Sequence, residues 1–100
     1  MAVAFRRAIA TNAVTPGATP VKLNTLVTFN AGTTRVLVQN IDPTNQAEWA
    51  YTTGSAPSSG SMGILTPFQA ISFNWEERDI NNVYVAHVAA KKLFVMEEGL

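Results

Sequence analysis

Residues 34–43 read Thr-Arg-Val-Leu-Val-Gln-Asn-Ile-Asp-Pro, and the run at 36–38 decides the fold class. Gly32 precedes this stretch and Asp42-Pro43 follows it, where the proline disfavours continuation of a strand ladder. A short apolar run bounded by turn residues is typical of a buried strand. The stretch therefore predicts a strand over 34–40 at the centre of a sheet.

Extended segments separated by turn residues occupy the rest of the chain. Residues 70–75 alternate Ile71, Phe73 and Trp75 with small or polar residues, the two-residue period of a half-buried strand. Further β-rich runs predict strands at 21–29, 48–53, 64–65, 82–89 and 92–96. About seven or eight short strands predict an all-β fold, either a small antiparallel β-sandwich or a jelly-roll-like barrel.

Three segments have other expectations attached to them. Alanines lower the strand propensity of 83–92 and two lysines suit a helix end there, so a helix is the alternative to strand in that stretch. Residues 55–63 are small, polar and glycine-rich, which predicts a flexible surface loop. Residues 97–100 are expected to form a short exposed tail.

The first twenty residues predict an extended N-terminal arm. Val3, Phe5 and Ile9 alternate only partly with polar residues, and 11–20 read as a turn-rich tether. Such an arm can add a strand to a neighbouring subunit, with Phe5 as its anchor. The competing interpretation is a first strand that pairs within its own domain. The prediction divides the chain into an arm at 1–20 and one β-sandwich domain at 21–100.

The composition favours self-association. Charged residues make up 14% of the chain, against about 25% in ordinary soluble domains, and homo-oligomer interfaces are depleted in charge. Seven basic and seven acidic residues leave no net charge to attract nucleic acid or an anionic membrane surface. No apolar run approaches the length that spans a bilayer, and Arg6-Arg7 interrupts the only candidate leader. We expect a homo-oligomer made in the cytoplasm, without nucleic-acid or membrane partners.

The residues that can carry chemistry form no recognisable catalytic set. The single histidine, His87, lies in an apolar segment and has no Gly-x-Ser-x-Gly nucleophile to serve. The acids at 76, 77 and 79 are neighbours in a charged turn, whereas acid–base pairs need opposed positions across a cleft. The sequence contains no cysteine to bind zinc and no acidic residues at the spacing of a calcium-binding loop. We predict a protein that is not an enzyme and uses no metal or cofactor.

Aromatic residues give a second functional hypothesis. Trp49 and Tyr51 alternate onto one strand face, and flat rings can stack on sugars or bases. Core packing is the alternative for both rings, as it is for Trp75. The hypothesis is a carbohydrate- or receptor-binding module that uses Trp49 and Tyr51 beside the loop at 55–63.

The order of strands and turns resembles one family of viral proteins. The resemblance rests on 35–40, a small-residue loop, Leu65-Thr66-Pro67 before the 71–73 strand, Val83-Tyr84-Val85 and the closing 93–97. This layout is similar to the small β-sandwich structural proteins of tailed bacteriophage virions, especially capsid decoration or cement proteins and head accessory proteins. Phe68 follows Pro67 where that family often has glycine, which argues against a tight turn and for an exposed aromatic anchor.

The resemblance implies a role and assigns no functional residue. It implies a homo-oligomer, with a trimer favoured, that sits on the capsid surface of the virion, contacts the major capsid protein and stabilises the phage head. A neck or tail component of the same virion is the alternative. From the residues themselves, we expect interface contacts at Val3, Phe5, Arg6, Arg7, Ile9, Trp49, Tyr51 and Phe68.

Overall fold

A computed structural model describes residues 7–76 and 79–99. The all-β prediction is confirmed over these residues, which form β-strands and two short 3-10 helices and no α-helix. No helix in this part of the chain has the length and apolarity that a membrane crossing requires. The strands are β1 Arg7–Val14, β2 Val21–Lys22, β3 Arg35–Asn40, β4 Ala47–Tyr51, β5 Gly63–Leu65, β6 Ala70–Asn74, β7 Val83–His87 and β8 Leu93–Gly99.

The strands form two antiparallel, four-stranded sheets. Sheet A has the order β1-β8-β3-β6 and sheet B the order β2-β7-β4-β5. The pairs β1–β8, β2–β7, β3–β6 and β4–β5 are nested, as if one long hairpin had been folded back between two sheets. The pairs β3–β8 and β4–β7 complete the sheets, and neither sheet closes into a barrel.

The two sheets pack on one apolar core in a sandwich-like arrangement. Val36 and Val38 of sheet A are fully buried, as are Val83 and Val85 of sheet B. Burying one such side chain contributes about 1.5–3 kcal/mol. Across the core, the rings of Trp49 and Phe73 meet edge to face with their centroids 5.6 Å apart. The alternation predicted for 70–75 thus places Ile71 and Phe73 on the inward face of β6, whereas Trp75 lies beyond the end of the strand and is 37% exposed.

Residues 7–14 belong to the body of the domain. β1 pairs with β8 of the same chain, from Arg7 opposite Gly99 to Val14 opposite Leu93, with a bulge between Ala8 and Ala10. This is the competing interpretation of the N-terminal stretch, a first strand within its own domain. The predicted arm over 1–20 is therefore wrong for 7–14, while Val3, Phe5 and Arg6 lie outside the described residues.

The strand predicted at 21–29 is wrong beyond its first two residues. The chain turns into a 3-10 helix at Leu23–Thr25, because the amides of Leu26 and Val27 both donate to the Leu23 carbonyl, at 3.0 and 3.1 Å. Leu23 and Val27 are buried and Leu26 packs against the core. Apolar residues spaced by three and four suit a helical turn better than a strand.

The helix alternative at 83–92 is also wrong. β7 is a strand that ends at His87, and the chain then turns, with Ala90 at a φ of 53° donating its amide to the His87 carbonyl at 3.0 Å. The expected exposed tail is strand as well, since β8 runs on to Gly99 and Glu97 is fully buried. Because Glu97 and Glu98 are adjacent, the sequence pattern did not indicate that the side chain at 97 points inward.

A tight turn connects β5 to β6, contrary to the argument from Phe68. The Gln69 amide donates to the Thr66 carbonyl at 3.0 Å, and Phe68 has a φ of 65°. Pro67 followed by a residue with positive φ is the arrangement of a type II turn, where glycine is usual at that third position. The Phe68 ring is 59% exposed, so its exposure was predicted correctly.

Candidate assembly surface

The outer face of sheet A is an uncovered surface with an apolar centre. The outer face of sheet A is formed by the residues of β1, β8, β3 and β6 whose side chains point away from the core. Its apolar residues lie in two cross-strand rows. The central side chains Leu37, Phe94 and Met96 are only half-buried, and the positions at both edges carry small side chains. The two apolar rows are Thr11-Met96-Leu37-Ser72 and Ala13-Phe94-Gln39-Ala70, and a third outward row, Ala8-Glu98-Arg35-Asn74, carries the Arg35–Glu98 ion pair at 3.7 Å.

The outer face of sheet B, in contrast, is covered in part by the chain itself. Its residues Glu48, Tyr84 and Ala86 are buried, although they point away from the core. The loop at 54–62 covers Glu48, whose carboxylate accepts hydrogen bonds from the Ser59 hydroxyl and the Gly60 amide, both at 2.7 Å. Ile64 of β5, paired with Glu48 on the same face, is 51% exposed. The predicted surface loop is thus confirmed, but a buried carboxylate holds it against the sheet.

The Trp49 ring explains why position 63, where the loop joins β5, is a glycine. A Cβ atom at this position would lie 2.6 Å from Nε1 of Trp49, whose ring occupies the space beside the backbone. The glycine is therefore required by close packing and not by the flexibility expected from the sequence.

The edges of sheet A are longer than those of sheet B. β1 has 8 residues and β6 has 5, whereas β2 and β5 have 2 and 3. Only Val14 of β1 is buried, so this strand is open to solvent on its faces as well as along one edge. Very short edge strands, charged side chains, proline and bulges are common protections against edge-to-edge association. β6 has no charged residue, proline or bulge, and in β1 the charge of Arg7 and the bulge both precede Ala10.

The predicted interface residues do not form one cluster. Arg7 is exposed at the start of β1, and Ile9 is 38% exposed at the bulge, where a Cβ on Gly99 would collide with it. Phe68 lies at the other end of sheet A, since its amide donates to the Asn40 carbonyl at 2.7 Å. Arg7 and Ile9 therefore lie near one end of sheet A and Phe68 near the other, and none of the three belongs to the cross-strand rows of the outer face.

Trp49 and Tyr51 lie on the inward side of sheet B. Both are half-buried on the inward face of β4 and pack against the core. The Tyr51 hydroxyl accepts a hydrogen bond from the Asp79 amide at 3.3 Å. These contacts are those of the core-packing alternative, and the glycan hypothesis stays a prediction.

Sequence reasoning missed Leu37, Phe94 and Met96 as surface residues. They alternate with inward valines or leucines in β3 and β8. Each strand therefore has apolar residues at its outward positions as well as at its inward ones. A run of this kind predicts a buried strand, as it does for 34–40, and does not indicate which of its apolar residues face solvent.

The buried polar side chains hold loops to the sheets. Glu97 is fully buried at the inner side of β8 and accepts hydrogen bonds from the Asn30 amide and the Thr33 hydroxyl, both at 2.7 Å. These bonds fix the loop between the first 3-10 helix and β3. The carboxylate is fully occupied by its own chain, which makes its role structural.

His87 is a satisfied core residue. Its Nδ1 accepts from the Ala89 amide at 3.2 Å, so its Nε2 carries the proton and donates to Oδ1 of Asn40 at 3.3 Å. Burial lowers the pKa of His87, and the Lys91 charge lowers it further while Asp42 raises it. The ring is neutral near pH 7 and ties β7 to the end of β3.

The remaining chemical candidates are ordinary turn residues. Oδ1 of Asp79 accepts from the Asn81 amide at 3.0 Å and caps the second 3-10 helix, while Glu77 and Arg78 lie outside the described residues. Within 7–76 and 79–99, no group of three or more histidine or acidic residues is placed to hold a metal ion. Comparison of the chain with known protein families, curated proteins and solved structures finds no match.

Proposed function

We propose that this chain is a non-enzymatic structural protein that assembles with copies of itself through sheet A and stabilises a phage head as a capsid decoration protein. The observation that carries the proposal is the contrast between two outer faces of one sandwich. A loop of the chain is bonded to the buried Glu48 on the outer face of sheet B, whereas the outer face of sheet A has an apolar centre and no cover among the described residues.

The size of the uncovered face supports a contact that includes the sheet edges. Four strands at the usual spacing are about 19 Å wide, and two rows, each two residues of strand long, cover about 14 Å, which gives roughly 260 Å². A stable interface buries about 800 Å² on each partner. The two rows supply about a third of this area, so a stable assembly also needs β1 or β6 at the edges.

The fold supports the proposal in a second way. Eight antiparallel strands with nested pairing, distributed over two four-stranded sheets, are what a jelly roll with two Greek keys requires. We therefore interpret the sandwich as a jelly roll. Jelly rolls recur in viral capsid proteins, where their rigid bodies serve as building units.

The place in the virion comes from the resemblance to phage decoration proteins. In this role the protein forms a small oligomer, favoured as a trimer, that contacts the major capsid protein from outside the shell. Many copies acting together make modest individual contacts sufficient, because attachment at one point raises the effective concentration of the next. A neck or tail component is the alternative, and the symmetry of the oligomer separates the two.

Two matched substitutions test the proposal. Leu37→Arg places a charge at the centre of the outer face of sheet A, and Ile64→Arg places one at an apolar side chain of sheet B that is 51% exposed. We expect native mass spectrometry and light scattering to show an oligomer for the unmodified protein and Ile64→Arg, and at least tenfold weaker association for Leu37→Arg. Equal association of the two variants contradicts assembly through sheet A.

Attachment to heads of the same virion tests the role itself. We expect cosedimentation with heads and a threefold or fivefold particle in negative stain, whereas sixfold or twelvefold rings indicate a neck or tail position. A monomer that also fails to cosediment removes the proposed function. Removal of residues 1–6 in the same assay tests the arm, which is discarded if attachment is unchanged.

A further inference from the structure

We propose that sheet A continues from one copy of the chain into the next, with β1 of one copy paired to β6 of its neighbour in a head-to-tail contact. The inference deepens the self-association in the proposed function by naming the two strands that meet. It rests on strand direction, on the nature of the two edges and on the register of the outer face.

Strand direction permits this contact without a change in orientation between copies. Each strand of sheet A is antiparallel to its neighbour, so with four strands the two edges, β1 and β6, run in opposite directions. Two copies placed side by side in the same orientation therefore bring β6 and β1 together as an antiparallel pair, the more stable kind of pairing.

Both edges are competent to pair. The unpaired backbone groups along an exposed edge form a template for another strand, and the lengths of β1 and β6 allow several hydrogen bonds. The bulge of β1 lies before Ala10 and leaves 10–14 regular. β6 has no charged residue and no proline. The two edges of sheet B are too short to compete.

The outer face sets the register. Thr11 and Ala13 end the two cross-strand rows at β1, and Ser72 and Ala70 end the same rows at β6. Placing Thr11 opposite Ser72 also places Ala13 opposite Ala70, so both rows continue into the next copy with outward residues on the same side. The small pairs fit closely, and a threonine opposite a serine is a favourable cross-strand pair.

The same register brings opposite charges to one end of the contact. Arg7 is exposed at the start of β1, and Glu76 is exposed just beyond the end of β6. Head-to-tail pairing places these two ends side by side. A heterologous contact of this kind generates a ring when the rotation between successive copies closes and an open filament when it does not, whereas pairing of two β1 strands about a twofold axis generates only a dimer.

Cysteine crosslinking tests this contact directly, because the chain contains no cysteine of its own. Within one chain Thr11 and Ser72 are three strand spacings apart, about 14 Å, which is too far for a disulfide. Thr11→Cys and Ser72→Cys single variants are purified, mixed as full chains and oxidised. We expect a linked heterodimer to accumulate at least tenfold above the linked product of either variant alone.

The controls separate this contact from other assemblies. Thr53→Cys, on an exposed turn after β4, replaces Ser72→Cys in a matched mixture and should give no linked product above background. Efficient linkage of Thr11→Cys to itself indicates twofold pairing of β1 and overturns the proposal. Absence of linkage in every mixture overturns it as well.

Hydrogen exchange of the unmodified protein gives a second readout that needs no substitution. Protection of peptides covering 7–14 and 70–76 should rise together as the protein concentration increases. A rise in one peptide alone, or in neither, contradicts the pairing. Disulfide linkage without attachment to heads supports the strand pairing and rejects the virion role. Attachment to heads by an oligomer that does not link supports the virion role and rejects the strand pairing.

Discussion

Replacing Phe68 by glycine is expected to relieve backbone strain, although it removes an aromatic side chain. Phe68 has a φ of 65°, and this left-handed region costs an L-residue about 1–2 kcal/mol relative to glycine. The residue is 59% exposed, and losing the buried remainder of its surface costs about 0.6–1.2 kcal/mol. Glycine raises the entropy of the unfolded chain, which costs about 0.4–1 kcal/mol. These terms nearly cancel, so we expect Phe68→Gly to change the stability by no more than about 1 kcal/mol.

Phe68→Ala is the matched control, because it removes the ring but keeps the backbone penalty. We expect Phe68→Gly to exceed Phe68→Ala by about 1 kcal/mol in urea unfolding, or about 4–8 °C in Tm for a domain of this size. An alanine variant as stable as the glycine variant refutes the strain argument. If Phe68→Gly is more stable and attaches to heads less well, the strain is retained for the contact that the ring makes.

Three further predictions concern the buried polar groups and the packing of Gly63. Glu97→Ala leaves the Asn30 amide and the Thr33 hydroxyl without their acceptor, which should lower the free energy of unfolding in urea by about 3 kcal/mol. Glu97→Gln keeps a carbonyl acceptor, so an equal loss of stability in that variant argues against this cause. Gly63→Ala should cost about 1–3 kcal/mol through overpacking, with Gly54→Ala close to neutral as its control, and equal Tm values for the two variants would contradict the packing argument. Because burial lowers the pKa of His87 in the folded state, stability should be complete above the ordinary value of 6.5 and fall as the pH is lowered through the folded pKa; His87→Gln should flatten that fall in urea titrations, and an unchanged slope assigns it to other groups.

The local sequence was sufficient to predict β3, β6 and the all-β class. In these strands the inward residues Val36, Val38 and Phe73 follow the period of two, and turn residues bound both segments. The pattern reports which face of a strand is buried. It contains no information about which strand lies beside it, because pairing depends on contacts between residues far apart in the chain.

The remaining errors have this nonlocal origin. Glu97 was expected in an exposed tail, since nothing near it in sequence indicates that the Asn30 amide and the Thr33 hydroxyl would bond to it. The pairing of β1 with β8, at opposite ends of the chain, decided between an arm and an internal strand. Leu37 was predicted to be in a strand but not to face solvent, because outward apolar residues look the same as inward ones.

The central position of β8 in sheet A has a consequence for biosynthesis. β8 is translated after every other strand, yet it separates β1 from β3 and pairs with both. On the ribosome, β1 and β3 therefore remain without their partner strand β8 until the end of synthesis. The high contact order of these pairings slows closure of the sheet. During that interval the waiting β1 is free to accept β8 from another nascent chain, which makes strand exchange between copies a natural misfolding route for this topology.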